Sequence, residues 1–192
     1  MKQLAVAMHH YDGTYGSLPP HALYGKDGRP LLSWRVLILP FIEGDKLYKK
    51  FRLDEPWDSP HNLALLPEMP KLFGRYDYGP TREPHTTFYQ VFVGKGAAFE
   101  GQKRVKFAED FPDGTSNTFL IVEGGSAVPW TKPEDLPYAA DQPVPALGGL
   151  LKATIRAALA DGSIHSFGRA TSEATLRAAV TRNGGDELGD DW

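Results

Sequence analysis

The chain has no cysteine among its 192 residues, which excludes a disulfide framework and any thiolate metal site. It has no apolar run approaching the ~18–20 residues that cross a bilayer, and no charged-then-apolar leader. Lysine and arginine total 21 against 24 aspartates and glutamates, and the basic residues are scattered, so the footprint of a nucleic-acid binder is missing. No Gly-x-Ser-x-Gly elbow is there to expose a nucleophile. Internal repeats, low-complexity blocks and interdomain linkers are absent too. What remains is a chain with 41% hydrophobic residues, long enough to bury a sizeable core, since single domains commonly run to ~100–200 residues. One globular domain is expected over 1–185, followed by an acidic tail, 186–192, that frays.

The first half reads as helical. Leu4, Met8 and Tyr11 recur on one face of a short amphipathic helix with nothing before it to cap its first turn, so a larger segment is expected upstream. The apolar spacing over 33–42 predicts a buried helix capped by Ser33, with Pro40 kinking or ending it. A shorter helix should cover 45–51. Pro60, directly after the capping Ser59, marks a further helical start, because the N–H that proline lacks has no partner at that position anyway. One or two turns should follow, ending at Pro67.

From Thr86 the pattern changes. Aromatic and β-branched residues over 87–93 predict a strand, and 105–107, 118–122, 153–159 and 163–167 are further candidates. Ala160-Asp161-Gly162 between the last two is a hairpin signal, with glycine accepting positive φ. An antiparallel sheet is the economical arrangement. Residues 128–145 carry five prolines and read as a long ordered loop, anchored by Trp130, Leu136 and Tyr138. A last helix over 172–181, capped by Ser172, should stop near Asn183-Gly184-Gly185. The fold class is therefore α+β: an N-terminal helix on an antiparallel sheet, with additional short helices and long loops.

Several motifs have chemical readings. Asp113, Ser116 and Asn117 around one Asp-Gly turn, and Asp161 at the other, offer oxygen ligands for Ca²⁺, although such side chains in turns more often satisfy neighbouring backbone N–H groups. Neither turn has EF-hand spacing. The six histidines show no ligand spacing, and adjacent His9 and His10 diverge on a helix. Asp161, Ser163 and His165 imitate a hydrolytic triad by proximity in sequence alone. The Gly94–Gly101 loop departs from both the dinucleotide and the P-loop pattern at the positions that matter. Trp57, beside Glu55 and Asp58, and the pair Glu134 and Asp135 have the residue types of a sugar site, though a tryptophan flanked by proline more often pins a loop to a core.

Taken together, Lys2-Gln3-Leu4-x-x-Ala7-x-His9-x-Tyr11, Thr14-Tyr15-Gly16-x-x-Pro19-Pro20, Ser33-Trp34-Arg35-Val36, Leu53 through Asn62, Asp113 through Thr118, Val128-Pro129-Trp130 and Ala160-Asp161-Gly162-Ser163 resemble domain of unknown function 1559 of planctomycete bacteria. The resemblance runs nearly end to end. It implies a type IV pilin or pseudopilin-like protein, with a cleaved leader, a long hydrophobic N-terminal helix and a soluble α+β head; the family is also labelled a bacterial solute-binding protein. Two departures stand out. The apolar half of the helix is not in this sequence, and the histidine expected ten residues before the second Asp-Gly is Leu151, which counts against a histidine-dependent role there.

Three functions follow in order of support. The first is a non-enzymatic, pseudopilin-like structural or interaction module, exported to the periplasm or cell surface and anchored in the membrane by the missing helix. Its partners would be other pilin-like subunits or secretion components, with no nucleic acid, no membrane contact by this stretch and no cofactor. The second is a binding module for a small solute, a glycan or Ca²⁺, using Trp57, Trp130 and Tyr138 for the ligand and Asp113, Ser116, Asn117 and Asp161 for the cation. The third is a hydrolase.

Overall fold

The structure, a computed structural model, describes residues 1–74, 83–149 and 154–192. Helix α1 (Lys2–Tyr15) buries Leu4, Ala5, Ala7 and Met8 completely and ends at Gly16, whose φ of 73° gives the left-handed turn that releases the chain. A hairpin follows, β1 (Ala22–Tyr24) with β2 (Pro30–Ser33), which the residue pattern had not signalled. Ser33 caps α2 (Trp34–Leu37) as expected, its hydroxyl accepting from Arg35 N–H. The helix expected over 33–42 is shorter, however. Pro40 begins a tighter 3-10 turn (Leu39–Ile42) instead of closing the helix, because a residue without an N–H fits a first turn. Short helices α3 (Asp45–Tyr48) and α4 (Pro60–Leu63) follow, the second capped by Ser59.

The main sheet is antiparallel, with strand order β3 (Thr86–Gln90), β5 (Phe119–Pro129), β7 (Thr154–Leu159), β8 (Ile164–Gly168). Alternate residues of β7 face opposite cores. Ala158 joins Leu4, Met8, Leu120 and Ile121 on the α1 side, whereas Ala157 and Leu159 join Phe119, Phe167 and Val180 on the other. That second side is covered by α5 (Glu173–Val180), capped by the Ser172 hydroxyl. The α+β class and the helix-on-sheet arrangement are as expected.

Four local expectations change. The strand expected over 87–93 breaks at Val91. There the chain leaves β5 and continues as β4 (Phe92–Gly94), parallel to β6 (Leu136–Tyr138). Val91 N–H donates to the Asp135 carboxylate at 3.1 Å and Val91 C=O accepts from Leu136 N–H at 2.9 Å, so both of its backbone groups have turned away from the first sheet. Residues 105–107 form no strand; Val105 is buried in the core, and its carbonyl accepts from Leu18 N–H. The proline-rich stretch 128–145 begins inside β5 and contains β6, although Trp130 and Leu136 do anchor it in the core.

The tail 186–192 is docked, where fraying was expected. Asp191 accepts from Ser172 N–H and from the Thr175 hydroxyl at the start of α5, and Trp192 stacks on His165 with ring centroids 4.1 Å apart. An acidic tail suits a helix N-terminus, and an indole gains apolar contact there with Phe119 and Phe167.

Candidate functional site

A concavity of about 990 Å³ opens between the β1–β2 hairpin and the loop that runs from Leu53 to Asp58. Leu31, Leu53 and Pro56 give it apolar walls, Tyr24 and Trp57 supply rings, and Lys26, Arg29, Asp54 and Asp58 supply charge. Both walls are fixed from behind. On the hairpin, Gly28 takes a positive φ of 79° and Asp27 accepts from Arg29 through both its backbone N–H and its guanidinium. Those bonds hold the Asp27 carboxyl below its ordinary pKa, the backbone N–H contributing most. The loop is fixed by Asn62, which is fully buried. Its amide donates to Arg52 C=O at 2.9 Å and to Glu55 and Pro56 C=O at 3.1 Å each, while its oxygen accepts from Arg52 N–H at 3.0 Å. Trp57 N–H then donates to Leu31 C=O at 2.8 Å, stitching the loop to β2.

A buried ion pair lies apart from the residues that line this cleft. Arg35 and Asp135 are bonded at 2.9 Å with side chains 0% and 1% exposed. Arg35 also donates to the Ser33 hydroxyl and to Tyr89 C=O, and the same oxygen of Asp135 accepts from the Trp34 indole N–H and from Val91 N–H. Burial pushes the Asp135 carboxyl up to about 6, and Arg35 and the neighbouring donors offset part of that rise. The second carboxylate oxygen is buried without a partner in the described residues. Next to this pair a shallower hollow of about 400 Å³ is lined by His21, Lys132 and Glu134. The ring of His21 bonds the Tyr24 hydroxyl at 3.1 Å, and burial lowers its pKa.

The aromatic residues singled out from the sequence separate. Trp57 is half-buried on the cleft, with the Lys132 ammonium 5.6 Å from its ring centroid. Trp130 is a core residue instead: it is fully buried, stacked on Phe73, and donates its indole N–H to Leu66 C=O at 2.9 Å. Tyr138 lies elsewhere, on β6 beside the Arg177 guanidinium.

The two Asp-Gly turns do come together, since Ala160 and Asp161 N–H donate to Thr118 and Thr115 C=O. Their side chains serve the turns. Asp161 accepts from Ser163 N–H and hydroxyl at 2.7 and 2.6 Å; Asp113 accepts from Gly185 N–H; the Asn117 amide donates to Asp113 C=O; and the Ser116 hydroxyl lies 3.5 Å from Asn117 Oδ1. No group of three or more histidine or carboxylate side chains converges among the described residues. Ser163 and Asp161 are bonded as a turn, while His165 is stacked on Trp192. Leu151 lies outside the described residues.

Sequence reasoning missed Asn62 and the Arg35–Asp135 pair as organisers. Ser33-Trp34-Arg35 and the stretch ending in Asn62 were already among the motifs that stood out, which was the available signal.

Residues 1–72 match the family described as Protein of unknown function (DUF1559). No curated protein and no solved structure matches the chain. Every residue named on the wall of the larger cleft falls within the matched stretch.

Proposed function

We propose that the chain, whose residues 1–72 match the DUF1559 family, is a non-enzymatic, pilin-like interaction module of an exported or cell-surface protein. The observation that carries this reading is the burial of Leu4, Ala5, Ala7 and Met8 of α1 in one core with β5 and β7, the arrangement of a helix that lies on a sheet and holds a head in place. The titratable groups add to it. The buried Arg35–Asp135 pair ties three segments together, and the carboxylates of the Asp-Gly turns bond to backbone and hydroxyl groups, so these side chains perform structural work. Among the described residues no helix is long and apolar enough to cross a membrane.

Export is tested with an epitope inserted in the exposed stretch 140–142 of the protein expressed from its own gene. Antibody should label it on intact cells or after opening the outer envelope alone. Labelling that requires lysis of the cytoplasm contradicts the proposal.

The cleft favours a second reading, a binding module for a small solute, because its volume lies at the upper end of the ~300–1,000 Å³ usual for ligand sites and its walls are held by buried hydrogen bonds. The two readings are compatible: a head can present a site.

A further inference from the structure

We propose that the cleft between the β1–β2 hairpin and the loop from Leu53 to Asp58 binds a neutral oligosaccharide. This inference rests on the binding-module reading and names its ligand class.

Three observations point to that chemistry. The first is the pair of rings. Trp57 and Tyr24 line the same cleft, and a pyranose offers a face of C–H groups that packs on an aromatic surface while its hydroxyls stay free for hydrogen bonds. The backbone that carries Trp57 is held in place, because its main-chain N–H is bonded to β2 and its loop is gathered by the buried amide of Asn62. The second is the mixture of charge. Lys26 and Arg29 donate only, Asp54 and Asp58 accept only, and both kinds line one hollow. A polyhydroxylated neutral ligand uses both, since each hydroxyl gives one hydrogen and takes others. An anion would meet the carboxylates and a cation the bases, each an unfavourable approach in part of the site. The third is availability. Asp27 is committed to Arg29, whereas Asp54, Asp58 and Lys26 make no hydrogen bond or ion pair among the described residues and are exposed.

The size also fits. A hollow of about 990 Å³ is large for a single sugar ring and suits a short oligomer laid along the Trp57 wall. The site stays passive in this account: it binds and releases, and no bond is made or broken.

The test uses the whole chain with neutral trisaccharides of different linkage (maltotriose, cellotriose, laminaritriose and chitotriose), with spermidine as cationic and trigalacturonate as anionic comparator. Binding is read by calorimetry and by acrylamide quenching of tryptophan emission in a Trp192→Phe background, since Trp34 and Trp130 are fully buried and Trp192 is only half-buried. At least one neutral trisaccharide should bind and shield Trp57. Trp57→Ala should weaken it at least about tenfold. Trp57→Phe should retain part of the affinity, and the exposed-site variants Asp54→Asn and Asp58→Asn should each weaken binding without moving the unfolding midpoint. Tyr138→Ala, on β6, should leave binding unchanged.

Preference for spermidine or trigalacturonate at Trp57 overturns the ligand class while leaving the binding-module reading in place. Binding of a neutral sugar that is indifferent to Trp57, Asp54 and Asp58 overturns the site. Absence of any ligand at millimolar concentration overturns both.

Discussion

At the residue scale, Asp135 gathers three donors in the interior. Its one satisfied oxygen receives Arg35, the Trp34 indole and Val91 N–H, tying α2, the point where β3 passes into β4, and the start of β6. Asp135→Ala removes the acceptor shared by the Arg35 guanidinium, the Trp34 indole and Val91 N–H. It should cost about 3–5 kcal/mol in urea unfolding, the range for breaking a buried pair by removing one partner. The pH dependence has a definite sign. Folding raises the Asp135 pKa from 3.8 to about 6, so the native state holds this proton more tightly than the unfolded chain does. Ionisation therefore costs stability at neutral pH, and that cost is relieved as pH falls through 6. Between pH ~7.5 and ~5 the midpoint of the wild type should rise relative to that of Asp135→Ala; a parallel course for the two proteins would contradict the assignment. Little of this pair could be read in advance. Asp135 is 100 residues away from Arg35 in the chain, and the local bond of Arg35 to Ser33 says nothing of its burial.

Asn62 is a second such case. Asparagine near a helix start suggests a cap, yet the cap is Ser59, and Asn62 instead feeds three carbonyls of the preceding loop. Asn62→Ala strands those acceptors and should lower stability by about 2–4 kcal/mol, with faster amide exchange over 52–58 as the local signature.

At the scale of elements, helix periods were legible because Leu4, Met8 and Tyr11 fix a face whatever the rest of the chain does. Capping by Ser33, Ser59 and Ser172 was legible for the same reason, being settled within four residues. Strand limits were not. The run 87–93 has one composition throughout and still divides between two sheets, because the division depends on Asp135 and Leu136, far along the chain. The tail shows the same limit in reverse: its acidity suggested solvent, but α5 offers an N-terminus that accepts Asp191.

Two element-level outcomes follow. Met8→Ala, which removes a fully buried side chain of α1 from the core shared with β7, should cost about 2–5 kcal/mol, and Ala158→Leu on the facing strand about 1–3 kcal/mol through overpacking. Both are read as shifts in chemical-denaturation midpoint. Asp191→Ala should raise amide exchange in the first turn of α5 only.

At the scale of the whole molecule, one antiparallel sheet separates two cores, the first closed by α1 and the 3-10 turn, the second by α5 and Trp192. The cleft opens at the edge of the first core, which shares Leu31 with its wall, on segments drawn entirely from residues 1–72, the stretch that matches the family. Trp57 was in view from the sequence as a ring beside acids; the hairpin opposite it was not, because Ala22–Tyr24 is too short for its alternation to register. Trp130 carried the same residue-level signal as Trp57 and became core, since burial depends on the packing of Phe51 and Phe73 around it.

The central claim is that this face makes contact with another molecule. It is tested most directly by placing a photo-crosslinking amino acid at position 26, on the cleft rim, in the protein expressed from its own gene, with the same residue at position 186 as reference. A discrete adduct should form from position 26 and disappear in Trp57→Ala, and none should form from position 186. Equal labelling at the two positions, or no adduct at 26 in cells where the protein is abundant, would contradict it.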